Sequence, residues 1–484
     1  MIFRLMDKKR AAIWIALTAL VLGSFGYCVG VSAAAMNKGN GDSDKIHLTL
    51  AHWDNGGSTE TDLVKKVCRK FEESHPDIKV EVKIISSYET QFSNFMASRN
   101  VPDVFCVPDG NFGTWVQTGV MLDLQDRFES CDLDVEHLAP SALKRYRYNG
   151  TTMGTGDLYC LPKDITPYVM YYNKDLFDEY GVPYPSDDVI MTPDEALDMW
   201  KKFGYDRGTV GTYKTGSKAG QMKLSDGHIY GVAKLYPESL IWSNGADYLS
   251  DSRTEVLIDS PEFIEAFNYI VDCEMTYAVA PTARVIGSTS EKSLFLNGKA
   301  ACYIEGRSVT TDLRNRATFN WDIAPIPAFP ANQQVNGWSG SVGYAVYKNC
   351  AHPDEAFELA KYFTSKEGQL IMAEAGFTAP LYNDEETIAA FYKLEEGKMP
   401  ANTGEFIRAA TYQRAGLWQY LPSVRWKTTF DEDTGAMFTD DPSTRMTPEQ
   451  FLPEEKERIL DIIKEDFPEL FKKSSGSSSE ETPQ

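Results

Sequence analysis

Two short polar turns hold the residue types with the most chemistry in this chain. One is Trp53-Asp54-Asn55, inside LAHWDNGGSTE (49–59). The other is Pro108-Asp109-Gly110-Asn111. An indole face can stack on the apolar face of a sugar ring, and carboxylates and amides can accept from and donate to hydroxyls at its edge. The plainer readings are a half-buried packing Trp and an Asp that only caps the helix after it. A second indole, Trp242, precedes an Asn-Gly turn in LIWSNGADYL (240–249).

Catalytic signatures are missing. The sequence has no G-x-S-x-G elbow and no H-E-x-x-H, and its six His (47, 52, 75, 137, 228, 352) are scattered. The eight Cys form no C-x-x-C pair, and most lie in apolar runs such as VFCV, LYCL and AACYI, which read as core. GTYKTGSK (211–218) imitates a phosphate loop, but its order is Ser-Lys and no apolar strand precedes it. No catalytic residue, metal or cofactor is therefore assigned.

The elements that must position these turns follow from periodicity. Ile46, Leu48 and Leu50 alternate with polar residues, as in a strand. Leu63, Val64, Val67 and Phe71 share a helical face over 59–74, and His75-Pro76 ends that helix. Residues 77–85 alternate again, ETQFSNFMASR is a second amphipathic helix, and PDVFCV (102–107) is a continuous apolar run. Strand–helix–strand–helix–strand predicts an open doubly wound α/β sheet. Ligands of such sheets sit beyond the carboxyl ends of the strands, so both turns converge on one rim. Further along, 157–185 reads as strand, turn, strand and short helix. Residues 192–203 and 260–273 read as capped helices, 204–227 as a loop, and 293–315 as helix end, buried strand and a glycine turn opening a helix.

The chain has 484 residues, with 70 Asp+Glu against 48 Lys+Arg, for a net charge of −22. That balance argues against nucleic acid and against docking to anionic lipid, and its simplest use is solubility. A basic start (MIFRLMDKKR) leads into a stretch without charge from Ala11 to Ala35, which fits a signal peptide or an uncleaved anchor. Residues 36–44 form a polar linker and 471–484 a tail of disordered composition.

FEESHPDIKVEV, PDVF, LPKDITPYVMYYNKDLF, LNGKAACYIEGR, WDIAPIPAFP, GWSGSVGYAV and HPDEAFELAKYFTSKEGQLIMAEAGFTAPLY occur in this order. The set resembles the extracellular solute-binding proteins of family 1, the maltose-binding-protein-like sugar receptors of ABC importers, over roughly residues 45–470. The resemblance implies a two-lobed, type II periplasmic-binding fold with a three-strand hinge. Residues 45–164 and 342–378 would form the N-terminal lobe, and 165–341 and 379–470 the C-terminal lobe. It implies a cleft lined by Trp53, Asp54, Asn55, Asp109, Asp164, Thr166, Trp242, Glu305, Gly306, Arg307 and Trp338. TGEFIRAATYQRAGLW reads first as a surface helix, with Arg414 and Trp418 as weaker site candidates on it.

The same resemblance implies an oligosaccharide ligand, ABC permease subunits as partners, a monomer, and an extracytoplasmic chain held at the membrane only by its N-terminus, or secreted after cleavage. Relatives in monoderm bacteria are usually lipoproteins. Here Phe25 and Tyr27 stand before Cys28 where aliphatic and small residues are expected, which disfavours lipidation at that Cys. Three function classes remain to be compared: a transport receptor that is not an enzyme, an exported glycosidase-like enzyme using two carboxylates, and a non-transport receptor or adhesin on the same scaffold.

Overall fold

The computed structural model describes residues 45–53, 58–335, 337–376, 378–416 and 420–472. Asp54, Asn55, Trp418, Cys28 and the segment 1–44 lie outside the described residues. Among the described residues no helix is long and apolar enough to cross a membrane.

The first sheet is built from β1 (Ile46–Trp53), β2 (Ile78–Ile85), β3 (Val104–Pro108), β4 (Leu161–Pro162) and, from much later in the chain, β9 (Val342–Val346). Their order is β2-β1-β3-β9-β4. β1 runs parallel to both neighbours, which the crossover helices α1 (Ser58–Ser74) and α2 (Tyr88–Ser98) make possible. β3 and β9 pair antiparallel and are covered on both faces, so Val104 to Val107 and Val342 to Val346 are all buried. Helix α3 (Asp109–Gln117) leaves directly from the end of β3.

The second sheet takes β5 (Tyr168–Asn173), β6 (Tyr230–Val232), β7 (Ala300–Gly306) and β8 (Trp321–Ala324) in the order β6-β7-β5-β8. The two expected helix starts are present. Thr192 and Glu195 form a reciprocal capping box, and the Ser260 side chain accepts from the Phe263 amide. The segment read as a loop over 204–227 instead contains a short hairpin, Val210–Thr212 paired with Met222–Leu224. Its strands are only three residues long and half exposed, so they carry no apolar alternation for a reader to detect.

Each sheet has its own core. Leu48, Leu50, Phe105, Tyr344 and Phe363 belong to one, and Met170, Trp200, Trp242, Phe263 and Leu421 to the other. The chain passes from β4 to β5 through Lys163–Pro167 and returns to β9 through Trp338–Ser341. These crossings are bonded to each other, Thr166 N–H to Gly340 O at 2.8 Å and the reverse at 3.0 Å. Ile165 also bridges Ala379, so a third strand joins them. Three short extended segments between two cores are a hinge, in which a few dihedrals absorb a rotation of the lobes.

The lobes touch where α3 meets the segment after Tyr420. A Cβ on Gly113 would lie 2.8 Å from Pro422 Cα and 2.9 Å from Pro422 O. Leu421 is fixed in the second core, so Pro422 has little freedom to withdraw. Gly113→Ala should therefore keep both cores folded while forcing the lobes apart. We expect about 1–3 kcal/mol of destabilisation and a larger radius of gyration without ligand. Unchanged melting temperature and scattering would show that this contact does not set the lobe spacing.

Candidate functional site

The floor of the inter-lobe region is charged and almost dry. Lys163 is 0% exposed, with Nζ 2.9 Å from Glu60 Oε1 and 2.5 Å from Asp164 Oδ2. Glu60 comes from the first turn of α1, and its second oxygen accepts from Trp53 Nε1 at 2.9 Å. Asp164 Oδ1 accepts from the Val342 amide at 2.8 Å, and its carbonyl accepts from Ser341 Oγ at 2.7 Å. Burial alone would push the Lys163 ammonium down, but the two carboxylates, Asp164 foremost, outweigh it and hold it above the ordinary lysine value. Burial would raise Glu60, and Lys163 and His52 reverse that, leaving it well below the ordinary carboxylate range. His52, 3.3 Å from Glu60, is pushed down by its own burial.

A second buried pair lies beside the first. Arg145 Nη1 donates to Asp109 Oδ2 at 2.8 Å and to Ser339 O at 2.7 Å, while Nη2 reaches Ser339 Oγ at 2.9 Å. Burial raises Asp109 to about 6 in spite of Arg145. Asp109 and Asp164 are thus both turned onto cations inside the hinge region, each holding a different part of the return crossing.

Above this floor stands an aromatic wall. Trp338 lies 4.6 Å from Tyr168 and 6.1 Å from Tyr236 between ring centroids, and Tyr168 and Tyr236 meet edge to face at 5.0 Å. All three rings are half-buried. Beside them Glu305 accepts from Tyr303 at 3.0 Å, Lys234 at 3.2 Å and Tyr236 at 3.3 Å. Burial, then the Glu305 charge, raises the Tyr236 phenol far above its ordinary value, so it stays a donor. Gly306 follows Glu305 because a Cβ there would sit 2.9 Å from Thr166 Cγ2, the hinge residue that pairs with Gly340.

Two expected site residues are placed differently. Trp242 is 1% exposed and its ring face is covered by Arg414, whose guanidinium carbon lies 4.3 Å from the ring centroid. Trp242 Nε1 donates to Asp247 at 3.2 Å, and Arg414 reaches the other oxygen of Asp247 at 3.1 Å. Tyr420 bonds both Asp247 and Arg414. Arg414 is not on a surface helix. It follows the helix Gly404–Tyr412 and lines an inter-lobe cavity of about 310 Å³, with Lys144 and Met153 across from it and Asp247 and Arg253 beside it. Arg307 is drawn away from the cleft altogether. It is 1% exposed, lies between Phe391 and Phe406, and is bound to Glu395 and to the Gly376 carbonyl at 2.8 Å.

Thr166, Glu305, Gly306 and Trp338 are therefore gathered around Tyr168, and Trp53, Asp109 and Asp164 around the buried charges. Sequence reading missed Tyr168, Tyr236, Lys234, Asp247 and Tyr420. Tyr168 stands two residues beyond Thr166 in a segment already singled out, and Tyr236-Pro237 opens the helix that carries Trp242.

Residues 55–370, which span most of both lobes and the crossings between them, match the sequence pattern of the bacterial extracellular solute-binding proteins. The chain belongs to that family. This solute-binding protein is 24% identical to the maltodextrin-binding protein MdxE of Bacillus subtilis (strain 168), over 71% of this chain and 75% of the relative. It is 24% identical to the galactooligosaccharide-binding protein of the same organism, over 83% and 87% respectively. Its fold is that of the Listeria monocytogenes ABC substrate-binding protein Lmo0181, solved in complex with cycloalternan. That match has a TM-score of 0.68 at 22% identity and covers 88% of this chain and 100% of that one.

The shift at Asp109 gives this solute-binding protein a pH signature. Folded Asp109 holds its proton up to about 6, whereas an unfolded Asp loses it at about 3.9. Its stabilising contribution is complete below the unfolded value and is lost as pH rises through the folded one. The stability difference between the wild type and Asp109→Asn should thus shift against the wild type from about pH 4 to pH 6 and level off above. A difference that stays flat over that range in denaturant titrations would refute this assignment.

Proposed function

We propose that this chain is the extracytoplasmic receptor of an ABC importer, that its ligand is an oligosaccharide, and that it hands this ligand unchanged to permease subunits. The observation that carries the reading is the half-buried wall of Tyr168, Tyr236 and Trp338 beside Glu305 and Lys234, at the hinge between two lobes. Ring faces suit the apolar faces of pyranoses, and the neighbouring carboxylate, ammonium and phenol suit their hydroxyls. The names of the two Bacillus relatives point to the same ligand class.

In this reading Trp338 and Tyr236 stack on sugar, Glu305 accepts from hydroxyls, and Arg414 with Asp247 contacts ligand from the same lobe, at the cavity that Lys144 and Met153 line from across. Trp53 forms the opposing rim. Asp109 and Asp164 act as positioning residues through Arg145 and Lys163. Those engagements favour a receptor over a two-carboxylate hydrolase, because each acid is buried against a cation rather than turned to a substrate bond. The lobes would divide at 45–164 with 342–378 and at 165–341 with 379–470, consistent with the two cores. The uncharged N-terminal stretch would hold the protein at the cell surface as an anchor, or release it if cleaved.

Truncating a stacked aromatic costs about 1–3 kcal/mol where bases stack on such platforms. Trp338→Ala and Tyr236→Ala should each weaken binding of the cognate oligosaccharide by roughly 5- to 150-fold and leave melting nearly unchanged. Trp242→Ala should instead destabilise the fold by about 3–5 kcal/mol, as for a core Trp. Calorimetry and thermal melts on the three variants separate these outcomes. Full affinity in Trp338→Ala and Tyr236→Ala would remove the aromatic wall from the site. Saturating ligand should also reduce the radius of gyration in small-angle scattering. An identical profile, or sugar product released by the unmodified protein, would refute a closing receptor.

A further inference from the structure

Strand register separates two ends of the second sheet. Tyr168 pairs with Gly306 at the hinge end, and Asn173 pairs with Trp321 at the other. The strand between them spans about 17–20 Å. At the far end opens a groove of about 790 Å³, larger than the cavity between the lobes and lined wholly by the second lobe and the helix–turn after Glu385. We propose that this groove is a second glycan-binding site, independent of the cleft, which holds a neutral oligosaccharide or polysaccharide chain on Tyr184 and Tyr392.

Few large apolar or aromatic side chains are left exposed among the described residues. Two of them, Tyr184 and Tyr392, both 41% exposed, line this one groove. Tyr184 is held in orientation. Its hydroxyl donates to Asp178 at 2.6 Å, and the Lys174 ammonium lies 4.9 Å from its ring centroid. Tyr392 comes from a different segment, the helix Glu385–Glu395, so the groove presents two aromatic rings from separate elements. Trp321 lines it as well. It is 1% exposed, and its indole N–H has no hydrogen-bond partner among the described residues.

The charges select the ligand class. Acidic side chains line the groove together with Lys174, Lys393 and Lys398, so both signs are interspersed. A polyanion would meet the acids, and a polycation the lysines. A neutral polyhydroxyl chain meets no repulsion, because each hydroxyl both donates and accepts, and its ring faces match the two phenols. The volume falls within the range of small-ligand sites.

The test uses the full chain with a panel of neutral glycans, maltoheptaose among them. Binding is followed by calorimetry and saturation-transfer NMR on the wild type, on Trp338→Ala and on the double variant Tyr184→Ala/Tyr392→Ala. Both rings are at the surface, and thermal melts confirm folding of the double variant. A weak binding event should survive in Trp338→Ala and fall at least 10-fold in the double variant, whose cleft affinity stays unchanged. Loss of that event in the double variant supports the groove even if Trp338→Ala binds as tightly as wild type, an outcome that would sink the cleft assignment alone. The proposal is overturned if no glycan of the panel contacts the tyrosines, or if the double variant keeps the weak event. It is also overturned if the double variant loses only transport in cells, which would make the groove a face for the permease.

Discussion

An ammonium group with no exposed surface sits where the chain first leaves one lobe for the other. Taking Lys163 out of water costs several kcal/mol, and attraction offsets this only where the partners are well placed. Its partners come from distinct places: Glu60 from the first turn of α1, and Asp164 from the hinge itself. Asp164 in turn holds the first amide of β9. One buried charge thus ties a helix start, the outgoing crossing and the returning strand together. Removing either carboxylate would leave Lys163 to the other alone and strip the acceptor from Trp53 Nε1 or from the Val342 amide, at about 1–3 kcal/mol. The neighbouring Arg145 repeats the logic with Asp109 and Ser339. Lobe rotation must therefore proceed around a fixed electrostatic pin, through the few residues between Ile165 and Tyr168 and their partners.

That pin explains why the aromatic wall is placed as it is. Trp338 precedes Ser339, which Arg145 grips from two sides, and Tyr168 follows Thr166, which pairs with Gly340. Two of the three rings are thereby held within two residues of a rigid backbone contact. Side chains mounted on the hinge are thereby fixed relative to both crossings. Trp242 shows the contrast. Its ring is large and lies near the cleft, yet Arg414 covers its face and Asp247 takes its N–H. What it contributes is a rigid base under Arg414, which is the group left facing the cavity.

Much of the architecture was legible in residue patterns. The alternation at Ile46, Leu48 and Leu50, the apolar run of PDVFCV and the caps at Thr192 and Ser260 all correspond to observed elements. These signals are local, because burial of one face imposes a period on the residues that face it. The hairpin at 210–224 escaped because short, half-exposed strands impose no such period. For the site, the family resemblance implied Glu305, Gly306, Thr166 and Trp338 as cleft residues, and the fold gathers them around Tyr168. They did not reveal that Tyr168 and Tyr236 complete the wall, since a tyrosine in a strand or at a helix start reads equally well as core.

The residue pattern by itself determined the first α/β sheet and the polar and aromatic turns at its strand ends, while the second lobe and the crossings between the lobes followed from the family resemblance. Only the tertiary structure decided which charged and aromatic side chains line the cleft and which face each other. Arg145 reaches Asp109 across 36 residues, Arg307 reaches the Gly376 carbonyl across 69, and Arg414 reaches Asp247 across 167. The physical reason is that a buried charge takes its partner from whatever the packing brings within about 3 Å, and that neighbourhood is set by segments far away in the chain. Arginines alike in sequence context thus end in the core, at the hinge and in the cleft.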